Sequence, residues 1–168
     1  MMSIEDILKV AENFEIEGYK FYKAKKEEIK NLLAKEVLEF LQNMEKEHTE
    51  YIRKVRKAME ENSEIPVASV DTTKDFFEER FKSQKLDKSP SEDDLKDLSI
   101  LRMALLIEKD FVNYYDKAAK RAEEIGDEKL KVILERLKHW EESHVELVEK
   151  MIEFVFEKNS LDLGFYPF

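Results

Sequence analysis

A glutamate followed by a Glu-x-x-His motif occurs twice in this chain, each time where a helix would bury apolar side chains. The first copy consists of Glu15 and the run Glu45-Lys46-Glu47-His48, and the second of Glu108 and the run Glu141-Glu142-Ser143-His144. Apolar residues recur around these positions at alternating spacings of three and four, which is the pattern of a core-facing helix surface. The sequence therefore predicts four carboxylates and two imidazoles on the buried faces of four helices.

Six polar side chains on buried helix faces need a common explanation. A lone buried glutamate costs several kcal/mol unless it is neutral, paired or bound to a metal. Two divalent cations would balance four carboxylates, and carboxylate oxygens with only two imidazoles favour iron or manganese over zinc. We therefore predict a di-metal site with six ligands, namely Glu15, Glu45, His48, Glu108, Glu141 and His144. The alternative is that these are surface Glu-x-x-His pairs, which arise readily by chance in an acid-rich helical chain.

Residue spacing places the predicted ligands at one level of the fold. Gly126, at a predicted turn, lies eighteen residues after Glu108 and eighteen before His144, so an antiparallel hairpin brings these two residues together. Leu32 lies seventeen residues after Glu15 and sixteen before His48. Both hairpins should therefore present their ligands at mid-height. Without metal, mutual repulsion and burial should then raise the pKa values of all four carboxyl groups.

The composition favours one domain, spanning 1–168, made of long helices. Charged residues make up 40% of the chain, whereas Gly and Pro number only three each. Periodicity and capping residues predict helices at about 3–31, 34–61, 91–126 and 127–158. They would form two hairpins, 3–61 and 91–158, joined by a crossover at 62–90 with one short helix inside 71–85. The apolar, aromatic tail at 159–168 should dock on its own bundle or on a second subunit.

Several partner and site classes conflict with the sequence. A net charge of -10 disfavours nucleic acid as a partner, and no run approaches the roughly 18 apolar residues of a membrane span. The first residues lack the basic and apolar regions of a secretory signal, so we expect a cytoplasmic protein. With no cysteine, the chain cannot form a disulfide, a zinc ribbon or an iron–sulfur cluster. Redox chemistry would need oxygen and nitrogen ligands and an external source of electrons.

Both copies of the pattern resemble the rubrerythrin-type branch of the ferritin-like superfamily, over nearly the whole chain. The resemblance is carried by four motifs: Glu15-x-x-Gly18-x-x-x-Tyr22, Glu45-x-x-His48, Glu108-x-x-Phe111-x-x-x-Tyr115 and Glu141-x-x-His144. It implies an all-α, ferritin-like four-helix bundle with a long crossover between helices 2 and 3. It also implies a di-iron centre that acts on peroxide or dioxygen, and assembly as dimers or larger, in some members with exchanged helices.

This chain departs from that family in two respects. Rubrerythrins proper carry a rubredoxin module with four cysteines, so a chain without cysteine resembles a stand-alone relative served by an external donor such as a rubredoxin-like protein. Many members also have a further glutamate where Phe111 stands here, and their peroxidase cycle is thought to use it. The remaining ligand set is closer to that of bacterioferritin-like ferroxidases. Tyr22 and Tyr115 occupy equivalent positions, where their hydroxyls either bond to ligand carboxylates or only pack.

Three functions are compatible with these residues. The first is a non-haem di-iron oxidoreductase, with manganese as the alternative metal, that reduces hydrogen peroxide or dioxygen in oxidative-stress defence. The second is a ferroxidase that passes oxidised iron to storage, which requires a closed shell of many subunits. The third is a metal-free helical protein whose aromatic tail binds a partner. His139 falls outside the core-facing pattern and is expected at the surface, whichever of these functions applies.

Overall fold

Five α-helices and no strand make up the regular structure of the described residues, so the predicted all-α class is confirmed. The structure, a computed structural model, describes residues 3–83 and 92–163, with the backbone alone for 77, 83 and 157–163. The helices are α1 (Ile4–Lys25), α2 (Leu32–Glu60), α3 (Thr73–Ser83), α4 (Glu92–Glu124) and α5 (Glu128–Leu163). In this part of the chain no helix is both long and apolar enough to cross a membrane.

Four long helices share one core. The helix α1 packs along α2, α4 packs along α5, and the two pairs meet through α1 with α4 and α2 with α5. The core has two apolar parts, one toward each end of the molecule, and each of the four long helices contributes residues to both parts. One part holds Leu8, Ile52, Val55, Leu130 and Leu134, and the other holds Leu38, Leu41, Leu101, Val148 and Met151. The predicted ligands lie between these two parts.

The turn between α1 and α2 comes earlier than the sequence indicated. The helix α1 ends at Lys25 rather than near residue 31, and α2 begins at Leu32. Asp97, on α4 and nearly fully buried, accepts hydrogen bonds from the backbone N–H of Lys30 at 2.9 Å and of Asn31 at 2.6 Å. The side chain of Asn31 then caps α2 by accepting from Ala34 N at 3.0 Å. A carboxylate from another helix therefore fixes where this turn lies.

The turn between α4 and α5 has the local signals that the sequence predicts. Gly126 adopts a φ of 77°, in the left-handed region where a helix-terminating glycine is favoured. The carboxylate of Asp127 accepts from Leu130 N at 2.9 Å and caps the start of α5. The backbone of α5 continues to Leu163, beyond the predicted end near residue 158. Positions 164–168 of the predicted docking tail lie outside the described residues.

The connection after α2 contains the predicted short helix. It is α3, which packs on α5, and its Phe76 ring lies 4.8 Å from the Phe40 ring of α2. Phe81 meets Phe154 of α5 edge-on at 5.9 Å. Aromatic contacts therefore attach this segment to both helix pairs. Residues 84–91, which would complete the crossover, lie outside the described part of the chain.

Candidate metal centre

All six predicted ligands are buried in the middle of the core. Each is at most 3% exposed to solvent. The helix period brings every one of them inward, because each stands at a core-facing position among mostly apolar residues. The alternative of surface Glu-x-x-His pairs therefore does not describe this structure. The side chains come from α1 (Glu15), α2 (Glu45, His48), α4 (Glu108) and α5 (Glu141, His144).

The imidazole of His48 directs Nδ1 at three carboxylates. Nδ1 lies 2.9 Å from Oε1 of Glu141, 3.3 Å from Oε2 of Glu15 and 3.7 Å from Oε2 of Glu45. Two of these glutamates belong to the same helix pair as His48, and Glu141 comes from the other pair. The imidazole therefore lies at the junction of the two pairs.

The imidazole of His144 makes the corresponding set of contacts. Its Nδ1 lies 3.1 Å from Oε2 of Glu141, and 3.4 Å from both Oε1 of Glu45 and Oε2 of Glu108. Here Glu141 and Glu108 belong to the same helix pair as His144, and Glu45 comes from the other. The two halves of the cluster are thus related by the duplication seen in the sequence.

Two overlapping groups of ligand atoms result. One group combines Glu15, Glu45, His48 and Glu141, and the other combines Glu45, Glu108, Glu141 and His144. Within each group, the potential ligand atoms lie within 4.8 Å of one another. Glu45 and Glu141 belong to both groups, so their carboxylates stand where they could bridge two cations. Either group alone offers three carboxylates and one imidazole, a donor set suited to iron or manganese.

Several carboxylate oxygens in the cluster have no hydrogen-bond donor. Both oxygens of Glu45, Oε2 of Glu108 and Oε1 of Glu141 are buried without a hydrogen-bond partner. Oε1 of Glu141 is close to His48 Nδ1, but the two groups are not aligned for a hydrogen bond. Buried acceptors are normally satisfied, and a cation is the natural partner for oxygens left in this state. The residues present therefore fit two metal ions.

Tyr22 and Tyr115 join the two helix pairs at this level. The hydroxyl of Tyr22, on α1, donates to Oε1 of Glu108, and that of Tyr115, on α4, donates to Oε1 of Glu15. Both rings are fully buried. Of the two roles left open by the sequence, the structure shows hydrogen bonding to cluster carboxylates. These bonds leave the other oxygen of each glutamate directed into the cluster.

The cluster contains both raised and lowered pKa values. Burial, with the nearby charge of Glu45, raises the pKa of Glu15 to about 8 and that of Glu108 well above its usual range. Burial by itself would lower the pKa values of both imidazoles, but the surrounding carboxylates, Glu141 above all, raise them well above normal. These shifts favour the protonated forms of both histidines, Glu15 and Glu108 in the metal-free protein.

The prediction that all four carboxyl groups have raised pKa values is wrong for Glu45 and Glu141. Burial favours their neutral forms, yet the close approach of Glu15, His144 and His48 to Glu45, and the positive charges of His48 and His144 near Glu141, leave both pKa values lowered. Two charged carboxylates then face two charged imidazoles. This balance allows the metal-free cluster to remain buried.

Phe111 occupies the position where the resembled family often has glutamate. Its ring stacks on Phe14 at 5.7 Å and lies against Gly18, where an added Cβ would come within 3.0 Å of the ring. Gly18 and Phe111 are equivalent positions in the two copies of the motif. The duplicated positions thus complement each other, since the missing side chain of one makes room for the ring of the other.

His139, which was predicted to lie at the surface, does so. His139 has a side chain 77% exposed, close to Glu142 at the surface. Glu17, Glu47 and Asp110 are also exposed.

Trp140 is a neighbour of the cluster that the sequence analysis did not identify. Its ring is nearly parallel to that of His48, with 4.9 Å between centroids and an angle of 11°. Trp140 lies four residues before His144 on α5, so the helix period could have predicted that both rings share a face. Asp71 was missed as well: it accepts from Ser143 Oγ at 2.8 Å beside His144, through a loop contact with no sequence signal.

Comparisons with protein-family models, with curated proteins and with solved structures gave no match for this chain. The inference about function therefore rests on the arrangement of the buried residues.

Proposed function

We propose that this protein is a non-haem di-iron oxidoreductase, with manganese as the alternative metal, that reduces hydrogen peroxide or dioxygen. The observation that carries the proposal is the pair of overlapping ligand groups that share Glu45 and Glu141. A solvated or structural acidic cluster would not require four buried glutamates aligned with two imidazoles between apolar layers. We further propose that the fold is a ferritin-like four-helix bundle of the rubrerythrin type, with the segment containing α3 as its crossover.

Each residue of the cluster has a distinct role in this proposal. Glu15 and His48 would hold one ion, Glu108 and His144 would hold the other, and Glu45 and Glu141 would serve both positions. Tyr22 and Tyr115 fix the carboxylates of Glu108 and Glu15 through their hydroxyl groups. The apolar side chains above and below the cluster exclude water.

The bound metals would supply electrons to an O–O bond. Reduction of hydrogen peroxide to two waters consumes two electrons and two protons. Because the chain has no cysteine and no cofactor-binding motif of its own, the electrons come from an external reductant, for which a rubredoxin-like protein is our proposal. The protein would act as a homodimer or a larger assembly in the cytoplasm.

Metal analysis of the purified protein tests the proposal. After reconstitution with Fe(II) or Mn(II) under anaerobic conditions, we expect about two ions per chain. His48→Ala and His144→Ala should each lose about one ion, and His139→Ala, which changes an exposed histidine, should lose none. A wild-type protein holding well under one ion per chain would refute the metal site.

Activity and size measurements then separate the enzymatic role from iron storage. A di-iron oxidoreductase should consume peroxide or dioxygen when a one-electron donor is added, and should elute as a dimer or a small oligomer. A closed shell of many subunits that accumulates iron far beyond two ions per chain would instead favour a ferroxidase. Consumption of neither oxidant by a fully loaded protein would contradict both functions.

A further inference from the structure

The imidazole of His48, on α2, stacks on two rings of α5. These rings belong to Trp140 and His144, which are one helical turn apart. Its ring is 4.9 Å from the Trp140 ring at 11° and 5.3 Å from the His144 ring at 6°. The His48 imidazole is thus stacked, nearly parallel, on both of these rings.

Tyr51 packs against the Trp140 ring. Its ring meets Trp140 edge-on, with 5.6 Å between centroids and an angle of 67°. Trp140 and Tyr51 are each 6% exposed, so the indole has little freedom to rotate away from His48. Packing of this kind holds a side chain in one rotamer before any ligand arrives.

The other imidazole does not have the same environment. Among the residues that the structure describes, the only aromatic ring stacked on His144 is that of His48. The duplication places Met44, one residue before Glu45, at the position that corresponds to Trp140 before Glu141. A methionine side chain has three rotatable bonds and restrains its neighbours less than an indole does. The two copies of the motif therefore have equivalent candidate ligands but different neighbouring residues, Trp140 in one copy and Met44 in the other.

We infer that Trp140 is a positioning residue for His48, and that it makes the two metal positions unequal, the position at Glu15 and His48 binding its ion more tightly. This inference rests on the proposed di-metal site and adds an order of filling to it. An imidazole that is already oriented loses less side-chain entropy when it coordinates a cation. The first ion then occupies the position of His48, and the second that of His144.

Titration of the metal-free, full-length protein with Co(II) tests the inference. Wild type should bind two ions in two resolved steps, with His48→Ala losing the tighter step and His144→Ala the weaker one. Trp140→Leu should weaken the tighter step about 10- to 100-fold and change the weaker one less than threefold. Trp140→Phe, which keeps a stacking ring, should restore most of the affinity. Met44→Leu is the matched control at the duplicated position and should leave the tighter step unchanged.

The emission of Trp140, the only tryptophan in the chain, gives a second readout in the unmutated protein. Cobalt quenches indole emission at short range, so the first equivalent should cause most of the quenching and the second should add little. If Trp140→Leu does not fold, Trp140→Phe and the comparison of His48→Ala with His144→Ala still test which position binds more tightly.

Specific outcomes would overturn the inference. Equal weakening of both steps by Trp140→Leu, an unchanged titration, or quenching spread evenly over two equivalents would show that Trp140 only packs. These results would leave the di-metal site itself intact, provided that wild type still binds two ions. Failure of wild type to bind two ions would remove both the inference and the proposed function.

Discussion

The hydroxyl of Tyr115, on α4, donates a hydrogen bond to the Glu15 carboxylate, on α1, within a fully buried part of the core. Tyr115→Phe removes the donor and leaves a buried acceptor without a partner, which costs about 1–3 kcal/mol of folding free energy. It also frees the carboxylate to rotate, so metal affinity at the Glu15 position should fall about 10- to 100-fold. Denaturant unfolding and metal titration would measure the two effects. Tyr19→Phe, on the partly exposed face of α1, serves as the control, and an equal effect of both variants would contradict the role of Tyr115.

Metal binding should release protons. The raised pKa values of Glu15, Glu108, His48 and His144 favour the protonated forms of these groups in the metal-free protein, whereas metal ligands must be deprotonated. Loading two divalent ions should therefore release up to about four protons per chain. Calorimetric titration in buffers of different ionisation enthalpy would count them. Release of no protons would show that the cluster is already ionised without metal.

The stability of the metal-free protein should fall as pH rises. Glu15 has a folded-state pKa of about 8 against a usual 4.5, so the native state binds more protons than the unfolded state between these values. Glu108 and both histidines are shifted in the same direction. Each extra proton contributes a slope of about 1.4 kcal/mol per pH unit, and this stability is lost as pH rises through about 8.

The lowered pKa values of Glu45 and Glu141 make the stability of the metal-free protein rise with pH, but only below about pH 4.5. We therefore expect the Tm of the metal-free protein to decrease between about pH 5 and pH 8.5. The metal-loaded protein should change much less, because its ligands stay deprotonated throughout that range. A metal-free Tm that is flat or rises over this range would be inconsistent with the cluster.

Asp97 should be essential for the turn between α1 and α2. Its carboxylate accepts from the N–H groups of Lys30 and Asn31, and no other acceptor in the turn is placed to replace it. Asp97→Ala should lower the free energy of unfolding by about 2–3 kcal/mol, and Asp97→Asn by less, because the amide keeps one acceptor oxygen. Chemical unfolding of these variants, with the exposed Asp110→Ala as the control, would measure the difference. A cost below about 0.5 kcal/mol for Asp97→Ala would mean that the turn forms without it.

The residues of the cluster could be identified from the sequence because the helical period shows which positions face the core, and polar residues at such positions stand out. Glu45, His48, Glu141 and His144 each interrupt an apolar face at the expected spacing, and all are buried. The turn before α2 could not be placed in the same way, since Asp97 acts on it from 66 and 67 positions away. The division of pKa values among the glutamates likewise depends on which imidazole faces which carboxylate. Such contacts between distant residues have no periodic signature in one sequence.

Each candidate ligand group takes three residues from one helix pair and a fourth from the other: Glu141 completes the group of His48, and Glu45 completes that of His144. Neither half of the molecule thus contains a complete metal position. A polypeptide half this long, carrying one glutamate and one Glu-x-x-His on a single hairpin, could assemble the same cluster only by pairing with a second copy of itself. The present chain has the pseudo-twofold symmetry of such a pair, with both halves in one polypeptide and with side chains such as Trp140 and Met44 free to differ between them.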